Sequence, residues 1–157
     1  MGCNDALVKL FAALVVNRYN IHMLHWRVSG KAFDQVHATH DDYVGQFGEF
    51  IDEIGEIMQM HGIRIPSLPE CLNILEQDTE NKYLILGGES DHEFYSPCET
   101  FSAIETIFGG LMKLYDSVEN CGLSGDVVGA IQNQHYWVRK ELCYKNKYRT
   151  AHAEHTN

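Results

Sequence analysis

Five residues in the first third of the chain, His25, His37, Asp41, Asp52 and Glu56, are of the types that bind metal ions, and they succeed one another at gaps of twelve, four, eleven and four residues. His37 and Asp41 stand four apart, as do Asp52 and Glu56, so on a helix each pair shares one face and can point at one ion. Imidazole and carboxylate donors with no thiolate suit iron, manganese or zinc better than copper(I) or an iron–sulfur cluster. Eleven residues is three turns, which keeps Asp41 and Asp52 on nearly the same side but about 16 Å apart along the axis. One helix therefore cannot close both pairs on a single ion.

Two copies of that helix can, if they pack antiparallel across a two-fold axis. The pairs 37/56 and 41/52 share one midpoint, between residues 46 and 47. Such a dyad sets His37 opposite the partner's Glu56 and Asp41 opposite the partner's Asp52, making two identical sites per dimer. Gly45 and Gly48 flank the midpoint on the same stripe. There the missing Cβ would let two backbones approach, at a helix-propensity cost of about 1 kcal/mol each.

The elements that must carry these residues are legible as helices. Asn4 or Asp5 can cap a first helix whose apolar positions Leu7, Leu10, Phe11, Leu14 and Val15 recur at the helical period, running to about Val28 with His22 and His25 on the inward stripe. A turn at Ser29-Gly30-Lys31 leads into a second helix from about Phe33 or Asp34 to His61, closed by Gly62 and by Pro66 beyond it. Its core stripe is Val36, His40, Tyr43, Phe47, Phe50, Ile54 and Ile57; one residue on lie His37, Asp41, Gly45, Gly48, Asp52 and Glu56. Residues 63 to 96 are the least regular, with a short helix expected over Leu68 to Gln77 and a Gly87-Gly88 break. Ser96-Pro97-Cys98-Glu99 is a capping box with proline at the first helical position. It opens a helix that Gly122 stops. Ser124 or Asp126 opens the last one, with Val128, Ile131, His135, Val138 and Leu142 inward.

At 157 residues, 45% hydrophobic and 22% charged, the chain fits one globular domain covering 1 to 157. The longest fully apolar run, Leu10 to Val16, is too short for a membrane span or a secretory leader, so a cytoplasmic protein without membrane contact is expected. Five scattered cysteines without a CxxC are expected to be reduced packing residues, outside any disulfide or zinc framework. The net charge of −10 repels polyanions and attracts cations. Five of the twelve basic residues fall between Arg139 and Arg149. A flexible tail is expected from about 145 to 157; a DNA contact there is the sharper alternative, opposed by the acidic remainder and by the lack of a basic N-terminal arm.

His25-Trp26-Arg27-Val28-Ser29-Gly30 followed by Phe33, His37, Asp41, Asp52 and Glu56 resembles the ferroxidase motif of the Dps family, the mini-ferritins, and Gln134-His135-Tyr136-Trp137 resembles that family's last helix. The resemblance implies an all-α, ferritin-like four-helix bundle, up-down, crossover, up-down, whose long crossover holds the short extra helix. It implies subunits assembled into a hollow dodecamer that stores ferric mineral. Ferrous iron would be oxidised by hydrogen peroxide or dioxygen at His25, His37 and Asp41 of one subunit with Asp52 and Glu56 of its partner, as a defence against oxidative stress. It also suggests that Asp126, near the start of the last helix, lines an iron-admitting pore. The Gly-Gly segment departs from the family's usual compact crossover.

Other metal-capable residues have plainer readings. His22, His40 and His135 lie on inward stripes, where a histidine is usually a hydrogen-bonded core residue. Trp26 is expected to pack, with interception of stray radicals as the alternative. Glu49 and Glu53 are expected outside the ligand set, with passage of iron inward as their alternative role. Glu89 and His92 have ExxH spacing but lack the second copy that a di-iron site within one bundle needs.

Overall fold

A computed structural model describes residues 2–29, 33–78 and 96–156, with 33, 97 and 144–156 described by backbone alone. Five helices make up the described elements: α1 (Cys3–Arg27), α2 (Phe33–Met60), α3 (Leu68–Gln77), α4 (Pro97–Glu119) and α5 (Gly125–Thr156). The long helices α1, α2, α4 and α5 form a bundle in which α1 packs on α2 and α4, α4 packs on α5, and the short α3 lies across α1. This is the expected all-α four-helix bundle with an extra helix in the crossover. The turn at Gly30 and Lys31, the Gly-rich stretch 84–95 and the Glu89/His92 pair lie outside the described residues.

Periodic apolar residues fill the centre. Leu7, Leu10, Leu14, Ile21 and Leu24 of α1, Phe47, Ile54 and Met58 of α2, Ile104, Phe108, Leu111 and Tyr115 of α4, and Ile131 and Val138 of α5 are all buried. Trp137 of α5 sits among Tyr43, Phe47, Phe50 and Phe108, with ring centroids 5.6, 6.3, 5.4 and 6.0 Å away and mostly edge-on. Edge-to-face contacts of this kind add to the burial term. Among the described residues no helix is long and apolar enough to cross a membrane.

The start of α1 departs from the expected Asn4 or Asp5 cap, since the helix begins at Cys3 with Gly2 at its cap and no side-chain bond there; other helix ends follow the local signals. Ser96 Oγ accepts the Glu99 N–H at 3.2 Å, with Pro97 at the first helical position where its missing donor costs nothing. Ser67 caps α3 in a full capping box with Glu70. Gly62, after α2, and Gly122, after α4, have φ of 66° and 98°, the left-handed conformation that stops a helix and favours glycine.

One expectation needs correction. Cys3, at the start of α1, and Cys121, just past α4, are paired in a disulfide, with Cα atoms 5.2 Å apart although 118 residues separate them. The fold brings the start of α1 to the end of α4, a juxtaposition invisible in cysteine spacing. The backbone of α5 runs on to Thr156, and no glycine or proline follows Gly129 to end it.

Two tests follow from the bonding at these ends. Unreduced, denatured protein should titrate three thiols, those of Cys71, Cys98 and Cys143, and Cys3→Ser should lower stability to denaturant by about 2–4 kcal/mol. Five titratable thiols without reductant would contradict the pairing. Separately, two hydrogen bonds from Arg64, at 2.6 and 2.7 Å, and contacts with Ser67 hold the Glu70 carboxyl at about 2, well below its ordinary range. A depressed carboxylate stabilises the fold above its unfolded value and loses that effect as pH falls through its folded one. The stability difference between parent and Glu70→Gln, read as melting temperature, should therefore shrink as pH drops from 4.5 toward about 2.

Candidate metal centre

His25 lies in the last turn of α1 and His37 in the second turn of α2. The two side chains bond each other's backbone: His25 Nδ1 lies 2.8 Å from the His37 carbonyl oxygen and His37 Nδ1 lies 3.0 Å from that of His25. Their rings stack with centroids 3.6 Å apart and planes 24° from parallel. A carbonyl only accepts, so each Nδ1 carries the proton and donates it. In the neutral rings the lone pair then belongs to Nε2. This is the tautomer of a metal-binding histidine whose other nitrogen is held by an outer carbonyl.

The local fold explains the pairing. The carbonyls of the final turn of α1 have no partner inside the helix. Val28 N–H takes that of Leu24, and His37 takes that of His25. Val28, Val36 and Phe101 bury together as a small apolar cluster, separate from the main core. That cluster fastens the end of α1 and the start of α2 to α4.

Asp41 follows His37 by one turn and is exposed. Asp52 and Glu56 are exposed as well, and both line an open pocket of about 630 Å³ with Phe11, Ile51, Arg64 and Ile65. The structure thus brings together His25 with His37 on one side, and Asp52 with Glu56 about four turns further along α2. Among the described residues of a single chain, the one group of three or more metal-capable side chains is Asp116, Glu119 and His135, not these five.

The surrounding residues are placed as follows within one chain. Gly48 makes room within its own chain: an added Cβ would meet the Arg18 guanidinium at 3.2 Å, and Arg18 Nε donates to the Val44 carbonyl at 2.9 Å. Gly45 has nothing within 4 Å. Trp26 is 55% exposed, and along α1 it stacks on His22 at 4.0 Å and meets Tyr19 edge-on at 6.4 Å. His22 is consequently half-buried, outside the core. His40 and His135 are buried. Glu49 and Asp126 are exposed. Glu53, also exposed, accepts a bond from Gln134 at 2.9 Å, and Gln134 in turn accepts one from the buried Tyr115 hydroxyl at 2.8 Å. Burial pushes that phenol well up, so it stays a neutral donor.

Asp116, Glu119 and Arg18 were not foreseen as functional candidates. The first two are three apart on one helix face opposite an inward histidine, a signal that needs the α4–α5 pairing before it can be seen.

No protein-family model matches the sequence, and no curated protein matches it. Solved structures do. Antigen TpF1 from Treponema pallidum superposes with a TM-score of 0.79 at 21% identity over 94% of this chain and 90% of its own. Dps from Staphylococcus aureus gives 0.79 at 18% identity over 94% of each chain. A Dps protein from Vibrio cholerae O1, described as a member of a broad superfamily of ferritin-like diiron-carboxylate proteins, gives 0.79 at 19% over 93% of this chain and 87% of its own. Shared along nearly the whole chain at such low identity, the likeness is one of architecture: this chain has the ferritin-like fold of the Dps structures.

Proposed function

We propose that this chain is a Dps-type ferroxidase and iron-storage protein of the cytoplasm, assembling as a hollow homo-oligomer, a dodecamer, with its oxidation sites at two-fold interfaces. The observation that carries this reading is the reciprocal bonding of His25 and His37, which puts the lone pair of each neutral ring on Nε2 and holds the two rings together, while the carboxylate pair lies elsewhere on α2. The midpoint shared by 37/56 and 41/52 supports a dyad that reunites them. So does the exposure of Asp41, Asp52 and Glu56, the last two lining an open pocket with Phe11, Ile51 and the exposed Ile65.

In this reading ferrous iron is the substrate. His25, His37 and Asp41 of one subunit hold it with the partner's Asp52 and the partner's Glu56, and coordination positions left open admit the oxidant. Two ferrous ions give one electron each to hydrogen peroxide; its O–O bond breaks and two hydroxide ions form. Anionic oxygen donors favour the harder ferric product, which eases the oxidation. A two-electron reduction of peroxide avoids releasing hydroxyl radical, and the acidic shell, at −10 per chain, draws in cations.

Asp52→Ala with Glu56→Ala should leave the assembly intact by size-exclusion chromatography, since both side chains are exposed. After anaerobic loading with ferrous iron, peroxide-driven ferric absorbance should appear at least about tenfold more slowly than in the parent. Undiminished oxidation by the variant would remove the assignment, and binding of iron without turnover by the parent would replace it with simple metal storage.

A further inference from the structure

A second set of metal-capable side chains lies between α4 and α5. Asp116 and Glu119 stand three residues apart near the end of α4, and His135 faces them from α5. One donor atom from each lies within 4.8 Å of the others. His135 is 1% exposed, with the Tyr115 ring nearly parallel to it at 5.5 Å.

The two imidazole nitrogens are not equivalent. Nδ1 lies 2.7 Å from a Glu119 oxygen, the length of a hydrogen bond donated to a carboxylate. The lone pair of the neutral ring is therefore on Nε2. Nε2 faces an Asp116 oxygen across 3.8 Å. That gap is too long for a hydrogen bond, and it is close to the separation of two ligands each bound to one ion at about 2.0–2.2 Å. A carboxylate on the far nitrogen of a histidine is also the usual device for orienting a metal-binding imidazole. Arg139 Nη2 reaches the same Nε2 at 3.5 Å, the limit of a hydrogen bond. Arg139 is exposed, so it competes for the lone pair yet can swing into solvent without disturbing the core.

We propose that Asp116 and His135 Nε2 bind one divalent transition-metal ion of the zinc class, with Glu119 holding the opposite ring nitrogen and water completing the coordination. The site is complete within one chain. It depends neither on a two-fold partner nor on the oxidation chemistry proposed above, and its ion would tie the end of α4 to α5 as a structural ligand of the folded state.

Full-length protein carrying Asp52→Ala and Glu56→Ala, which weaken the shared centre, is titrated with Co²⁺ and Zn²⁺ with and without Asp116→Asn. Asp116 is 63% exposed in its side chain, so the substitution should not unfold the protein. The expected result is that Asp116→Asn removes one Co²⁺ per chain, or weakens it at least about tenfold, together with its visible absorption band and the zinc-induced rise in melting temperature. Arg139→Gln should tighten binding. Equal stoichiometry and affinity with and without Asp116→Asn would overturn the proposal, whatever the iron-oxidation result.

Discussion

The last four carbonyls of an α-helix have no partner within it, and at the end of α1 the carbonyl of His25 is taken by the Nδ1–H of His37, while His25 returns the bond to His37. These two hydrogen bonds do three things at once. They satisfy a helix terminus, they lock the junction between the two helices that carry the candidate ligands, and they set the tautomer of both imidazoles. Any chemistry at Nε2 depends on that last effect. The small cluster of Val28, Val36 and Phe101 supplies the apolar support that holds the junction against α4. Losing the His37 ring would therefore leave the His25 carbonyl at the end of α1 without its donor, and losing either ring would remove the stacking partner of the other.

The rest of the bundle is arranged around a separation it cannot remove. The helix α2, 28 residues long, keeps His37 and Glu56 about five turns apart. Its buried face is committed to the core through Phe47, Ile54 and Met58. Its acidic face is left open with the pocket by Asp52 and Glu56. In the proposed assembly the exposed carboxylates Asp52 and Glu56 and the pocket they line with Ile51 and Ile65 would meet a second copy of the chain. Burial of apolar surface against a twin would supply the association energy, and the ligand geometry would supply its register.

Much of this was legible from residue types and spacing. Period-3.6 stripes located all four long helices, and Ser96-Pro97 and Gly62 marked a start and a stop that the structure places where expected. The short helix over Leu68–Gln77 was visible from its flanking breaks. What escaped depends on contacts distant in sequence. Nothing near Cys3 announces Cys121. Nothing near Gly48 shows that Arg18 of another helix fills the space its missing side chain leaves. The stripe at His135 predicts burial, which the structure has, but not the Glu119 carboxylate on its Nδ1. The reciprocal histidine bonds were likewise hidden, because periodicity places a side chain on a face without saying which backbone group it meets.

Whether the proposed oxidation centre is shared between two chains is tested most directly by mixed assemblies. Chains bearing His25→Ala and His37→Ala are co-assembled in equal amounts with chains bearing Asp52→Ala and Glu56→Ala, neither of which should oxidise iron alone. If the halves of each site come from different subunits, random pairing leaves about a quarter of the sites intact, and peroxide-driven iron oxidation should recover to about that fraction of the parent rate. Mixed assemblies as inactive as either variant alone, with mixing verified by mass spectrometry, would contradict a site divided across the dyad.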